Sequence, residues 1–195
     1  FHYCTFTRSI KPDDLKNVAE EFDDKKDYEN AIKYYEKYLE VSNGDSLLYY
    51  NLGRAYENEN QPEKALTNYD KSINLDNSYA YAYYWKGSVL YDLKKYKEAI
   101  IEWNKFNSLK PNSNAIHYWL AHAYFKINNF GQAINSINTE IETSDDNANA
   151  IKFKTDLISI LSKIFNSREI KINSTQFEIF KEYIDIAINS ELNIK

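Results

Sequence analysis

Tyr49-Tyr50-Asn51-Leu52-Gly53-Arg54-Ala55-Tyr56 places apolar residues at Tyr49, Leu52 and Tyr56, a helical spacing that draws a stripe along one face. Gly53 would weaken an isolated helix by about 1 kcal/mol relative to alanine. It is tolerable where a second helix comes too close for a side chain. A turn follows at Glu59-Asn60-Gln61-Pro62, with the proline suited to the first turn of a new helix. That helix carries Ala65, Tyr69 and Ile73, and Asp76-Asn77-Ser78 closes the unit. The stretch reads as helix–turn–helix.

Outward from it, the pattern repeats. Alanine stands at Ala31, Ala65, Ala99 and Ala133, a constant step of thirty-four positions. Ala19, Gly53, Gly87 and Ala121 keep the same step with small residues, and Phe22, Tyr56, Leu90 and Tyr124 with large apolar ones. Small residues at two fixed phases of this period mark an array of helical hairpins. Counted from Pro12, the units are 12–45, 46–79, 80–113 and 114–147, and Lys110-Pro111-Asn112 stops the third.

Tyr49…Leu52-Gly53…Tyr56…Ala65…Tyr69 and Tyr83…Gly87…Leu90…Ala99…Trp103…Pro111 resemble the tetratricopeptide repeat consensus, in phase over about 12–147. The resemblance implies an all-α, right-handed solenoid of four hairpins with a C-terminal helical cap. Such arrays hold other proteins and seldom do chemistry, so no enzymatic activity is expected. Three departures stand out. Lys86 occupies a slot where leucine is usual, and His117 one usually held by a large aromatic. Ile137 and Glu140 replace an aromatic and a small residue in the fourth unit, which predicts looser packing there. One subclass of these repeats clamps the carboxylate tail of cytosolic chaperones. The chain matches it at Lys16 and Asn51, whereas Glu20, Tyr81 and Trp85 stand where the clamp needs asparagine, lysine and arginine, which disfavours that reading.

Beyond Asp145-Asp146 the consensus fades. Residues 148–165 keep a helical pattern through Ile151, Leu157, Ile158, Leu161, Ile164 and Phe165, and read as a capping helix over the end of the stack. A linker and a C-terminal amphipathic helix fill 166–195, with Thr175 and Glu178 as a capping box. Residues 1–11 form an N-terminal extension.

Composition narrows the function further. A hydrophobic share of 43% and an aromatic share of 16%, mostly eighteen tyrosines, suit a folded chain. The net charge of −5, with no dense Lys/Arg run, argues against a nucleic-acid partner. Residues 1–45 hold seven Lys/Arg against eleven Asp/Glu, which reads as a solvated acidic end. The single Cys4 excludes an internal disulfide, and no apolar run is long enough to span a membrane. The absence of methionine and the start at Phe1 point to a fragment or processed form. His117 and His122 lie five apart, about 140° around a helix, so one ion does not readily meet both. They read as a core and a groove or surface residue. With no paired cysteines and no phosphate-cradling glycine loop, neither metal nor cofactor is expected.

The groove is the stronger candidate. Residues of each first helix that face away from its second helix line up in a stacked array. They are acidic in the first unit, with Asp13, Lys16, Asn17, Glu20, Asp23 and Asp24. The later units offer Tyr50, Asn51 and Arg54 with Glu57, then Tyr81, Tyr84, Trp85 and Tyr91 with Ser88, then Tyr118, Trp119 and His122 with Phe125. Aromatics with polar tips are enriched in binding hot spots. Tyr50, Tyr84, Tyr91 and Tyr118 are consensus-like and partly structural, whereas Trp85 and Trp119 replace the usual asparagine and read as a ligand-facing patch, expected at least half exposed, with packing between helices as the alternative. The expected function is a scaffold or adaptor holding an extended peptide or partner helix, the peptide apolar or proline-rich and carrying a carboxylate for Arg54. One alternative is self-association into a homodimer through the C-terminal helix. Another is a membrane-anchored bacterial lipoprotein tethered through Cys4, although Tyr3 departs from the small residue such processing prefers. A cytoplasmic setting is otherwise favoured.

Overall fold

The computed structural model describes residues 11–111, 113, 116–144 and 147–166, with side chains as far as 163. These residues form an all-α fold with no strand among them. In chain order the helices are α1 (Pro12–Asp24), α2 (Tyr28–Val41), α3 (Ser46–Asn58), α4 (Pro62–Leu75), α5 (Ala80–Asp92), α6 (Tyr96–Leu109), α7 (Ile116–Lys126), α8 (Phe130–Thr143) and α9 (Ala148–Asn166). Two compact units divide between Leu93 and Lys94. Cys4, the linker beyond 166 and the expected C-terminal helix lie outside the described residues.

In the first unit, α1 pairs with α2 and α3 with α4, and α5 packs on α4. Three-residue turns close the pairs. At the end of α1 the Lys26 N–H donates to the Asp23 carbonyl (2.8 Å) and the Asp27 N–H to that of Phe22 (2.9 Å). Asn60 and Gln61 repeat both bonds to Glu57 and Tyr56 at the end of α3. This helix-ending arrangement needs a left-handed residue. Lys26 (φ 60°) and Asn60 (φ 54°) supply it, and Lys94 (φ 61°) and Asn128 (φ 59°) continue the series at the same step. Asp27 then caps α2 by accepting from the Asn30 N–H, and Asp45 caps α3 by accepting from Leu48 (2.7 Å).

Short helices of 13 or 14 residues are marginal alone, so packing must hold them. The core of the first unit gathers Ala19, Ala31, Ile32, Tyr35, Leu48, Leu52, Ala55, Tyr56, Ala65, Tyr69 and Val89. Burying a large side chain there contributes about 1.5–3 kcal/mol. Lys86 holds its unusual slot by reaching Asp70 of α4, with Nζ 2.8 Å from a carboxylate oxygen.

In the second unit α7 pairs with α8, α6 packs on α7 and α9 on α8. Ala133, Ile134, Leu157 and Leu161 form one cluster, and Ala121, Ile137 and Ala150 another. The looser packing expected near Ile137 and Glu140 is not found, since both side chains are buried. Glu140 accepts a hydrogen bond from the Tyr118 N–H (3.2 Å), satisfying a donor in the first turn of α7 that no helical carbonyl can reach. The buried Ala150, Lys154 and Leu157 of α9 follow the buried Ile116, Leu120 and Ala123 of α7 by one repeat length. The register of a first helix therefore runs on past the consensus. Among the described residues no helix is long and apolar enough to cross a membrane.

Candidate functional site

The ten residues expected along the groove divide between the units: Tyr50, Asn51, Arg54, Tyr81, Tyr84, Trp85 and Tyr91 in the first, Tyr118, Trp119 and His122 in the second. In the first unit, α3 and α5 bring Tyr50 and Trp85 to Arg54. Its guanidinium carbon lies 4.9 Å from the centre of the Trp85 ring. Tyr84 stands edge-on to Trp85 at 5.4 Å. Tyr50 meets Tyr79 edge-on at 5.1 Å, and Tyr79 in turn meets Tyr81 at 6.4 Å. Asn51 stands beside the Tyr35 hydroxyl. Tyr91 is half-buried and engaged within the chain.

Two carboxylates share this face. Glu57, one turn along from Arg54, accepts a hydrogen bond from the Tyr69 hydroxyl at 2.6 Å. Its carboxyl is held above the ordinary range by burial, against the opposing pull of that hydrogen bond and of Arg54, with Asp92 adding to the rise. Asp23 of α1 is raised for the same first reason, again with Arg54 opposing and Asp24 and Glu20 adding. Burial also pushes the Tyr79 hydroxyl up to about 12, helped by Tyr50 and Tyr81. Both carboxylates feel the charge of the guanidinium, while the buried Arg54 Nε has no hydrogen-bond partner among the described residues.

In the second unit Tyr118, Trp119 and His122 cluster on α7, but α9 supplies a ring that sequence reasoning missed. Phe153 stacks on His122 at 3.8 Å and 24°, and meets Tyr118 at 6.2 Å and Phe125 at 6.1 Å. Its signal was available, because Phe153 follows Trp119 by the same step that separates Trp119 from Trp85. Trp119 packs against Tyr118 at 5.5 Å and the buried Trp103 at 6.4 Å. Burial lowers the pKa of His122, and Lys126 lowers it further. His117, expected in the core, is only half-buried.

Neither tryptophan is as open as expected. Trp119 is 38% exposed and Trp85 less, because Trp85 packs against the core of its unit from one side and carries Arg54 on its ring. Lys16 is turned to Asp45 at 3.4 Å. Among the described residues no group of three or more His, Cys, Asp or Glu side chains could hold a metal ion.

Comparison with known proteins follows the same lines. No curated protein sequence matches the chain. Among solved structures, a crystal structure of MamA is 22% identical, with a TM-score of 0.67 over 71% of this chain and 81% of that one. YrrB, described as a TPR protein with an unusual peptide-binding site, is 20% identical with a TM-score of 0.68 over 74% of each chain. The first TPR of Spaghetti (RPAP3), bound to the HSP90 peptide SRMEEVD, is 23% identical with a TM-score of 0.57 over 60% of this chain and 94% of its own. At these identities the likeness is one of fold. The family model described as anaphase-promoting complex, cyclosome, subunit 3 matches residues 24–106 and 78–139, more than half of the sequence. By that match and by the hairpins of both units, the chain belongs to this family of tetratricopeptide-type repeat proteins.

Proposed function

We propose that the chain is a protein-interaction scaffold whose first unit docks an extended peptide segment of a partner on the face carrying Tyr50, Asn51, Arg54, Tyr81, Tyr84, Trp85 and Tyr91. The observation that carries this reading is the Arg54–Trp85 pair, 4.9 Å apart, set among tyrosines of α3 and α5. Flat aromatic area with hydrogen-bonding tips loses little side-chain entropy on binding and suits the apolar parts and backbone of an extended segment. The half-buried carboxylates of Asp23 and Glu57 outnumber the one guanidinium. They favour a segment that brings a basic side chain or neutral donors. Peptide binding by YrrB and by the RPAP3 repeat accords with such a role for the fold. Tyr118, Trp119 and His122 extend the reading to the second unit, where 148–165 act as the capping helix.

A displayed library of random decapeptides panned on the full chain tests this. Selected sequences are expected to be enriched in Lys or Arg beside proline or apolar residues, and to lose binding to Tyr84→Ala. Enrichment of acidic peptides, or selections indifferent to that variant, would overturn the reading.

A further inference from the structure

A second cleft lies in the first unit, away from the aromatic face, between α2 and α4. Its volume is about 480 Å³, and the buried Leu52, Tyr56 and Asn68 form its floor. The charges around it are sorted by wall. Glu36 and Glu40 line the α2 side, and Lys64 and Lys71 the α4 side, with Thr67 between them. No ion pair among the described residues closes across the gap. Glu36 accepts a hydrogen bond from the Tyr56 hydroxyl, and Glu40 has no partner among the described residues. Lys64 rests 4.9 Å over the Tyr56 ring and Lys71 5.1 Å over that of Tyr49, so both ammonium groups keep their hydrogen-bond donors. An ordinary solvated helix surface mixes its charges. Here each wall that faces the cleft carries one sign.

We propose that this cleft takes an extended segment of a partner protein in which basic and acidic residues alternate. Successive side chains of an extended chain point to opposite sides and repeat on each side about every 6.6–6.8 Å. Glu36 and Glu40, one turn apart on α2, are separated by about 6 Å along the helix axis. Lys64 and Lys71, seven residues apart on α4, are separated by about 10.5 Å along its axis, a span that their long side chains adjust. Alternation therefore sends the basic groups to the Glu36–Glu40 wall and the acidic groups to the Lys64–Lys71 wall. The backbone and the aliphatic stems lie over Leu52 and Tyr56. Peptides with blocks of like charge cannot satisfy both walls along their length, and pattern rather than net charge is what the site selects.

Two blocked octapeptides of identical composition decide the matter, (Lys-Glu)₄ and Lys₄Glu₄, titrated into the full ¹⁵N-labelled chain. The alternating peptide is expected to bind about five- to tenfold more tightly than the block peptide at low salt, with opposite-charge contacts screened away at high salt. Amide shifts should concentrate at Lys64, Thr67, Asn68 and Lys71. Glu40→Lys and Lys71→Glu, both at exposed positions, should each remove most of the preference; Glu40→Lys should leave the melting temperature unchanged, whereas Lys71→Glu also gives up the contact with the Tyr49 ring. Equal affinity for the two peptides, shifts confined to α3 and α5, or no binding at millimolar concentration would each overturn the proposal.

Discussion

A Cβ atom placed on Gly53 would lie 2.8 Å from Cε1 of the Tyr69 ring and 3.3 Å from the carbonyl oxygen of Ala65. The glycine is there because α3 and α4 touch at that point. Tyr69 cannot easily give way, since its side chain is fully buried and its hydroxyl is bonded to Glu57 at 2.6 Å. Gly53→Ala should therefore destabilise the chain by about 1–3 kcal/mol, although alanine is the better helix former by about 1 kcal/mol. Urea unfolding of Gly53→Ala beside Ser88→Ala checks the sign. A stabilised Gly53→Ala would show that α4 can move aside.

That contact was legible in the sequence, because a glycine recurring in phase with alanines marks a place where a larger side chain does not fit. The neighbours of Arg54 were not. Asp23 lies on another helix, and no spacing along the chain announces that α1 and α3 bring it to the same guanidinium. Lys86 read as a departure until Asp70 appeared at 2.8 Å. Phe153 kept the register but fell where the consensus had faded, so the closeness of α9 to His122 went unread. The exposure of Trp85 and Trp119 was overestimated for a related reason. Angular position on one helix ignores the neighbour that packs against the ring's other side.

The left-handed turn residues give a second test. Lys26 and Lys94 hold φ near +60° where the equivalent positions use Asn60 and Asn128. Lysine has a Cβ and no short polar group to compensate, and this region costs an ordinary residue roughly 1–2 kcal/mol. Lys26→Asn and Lys94→Asn should each raise stability by a fraction of that, and Asn60→Lys should lower it. Denaturation midpoints that do not respond in either direction would show the turns to be relaxed by other means.

Acid should loosen the seat of α9. Burial, then Lys126, holds His122 below the ordinary histidine range. Its ring is stacked on Phe153 with Tyr118 at 4.6 Å, and Trp119 nearby at 6.3 Å. The unfolded chain takes up a proton near pH ~6.5, whereas the folded chain does so only at lower pH. The neutral ring's contribution is thus present above that pH and is lost as pH falls through it towards the folded value. His117, lowered by burial and opposed by Glu140, adds a drift of the same sign. Between pH 7.5 and 5.5 the wild type should lose more stability than His122→Phe, measured by urea midpoint. Identical losses would clear His122 of the effect.

The tryptophans separate binding from packing. Trp119 is 38% exposed, and Trp85 has one side of its indole on the core and Arg54 on its ring. Trp85→Ala removes the partner of the guanidinium and part of the aromatic surface, so it should cost about 2 kcal/mol or more of peptide affinity if this face binds. It should also cost some stability, because the inner side of the ring is packed. Trp85→Phe separates the two. Phenylalanine keeps most of the buried contact and a weaker cation–π face, so the melting temperature should recover while affinity recovers only in part. Arg54→Lys supplies the complementary arm, keeping the charge but losing the flat stacking group. Affinity that simply tracks melting temperature across all three variants would reduce Trp85 and Arg54 to packing residues and move the binding surface elsewhere.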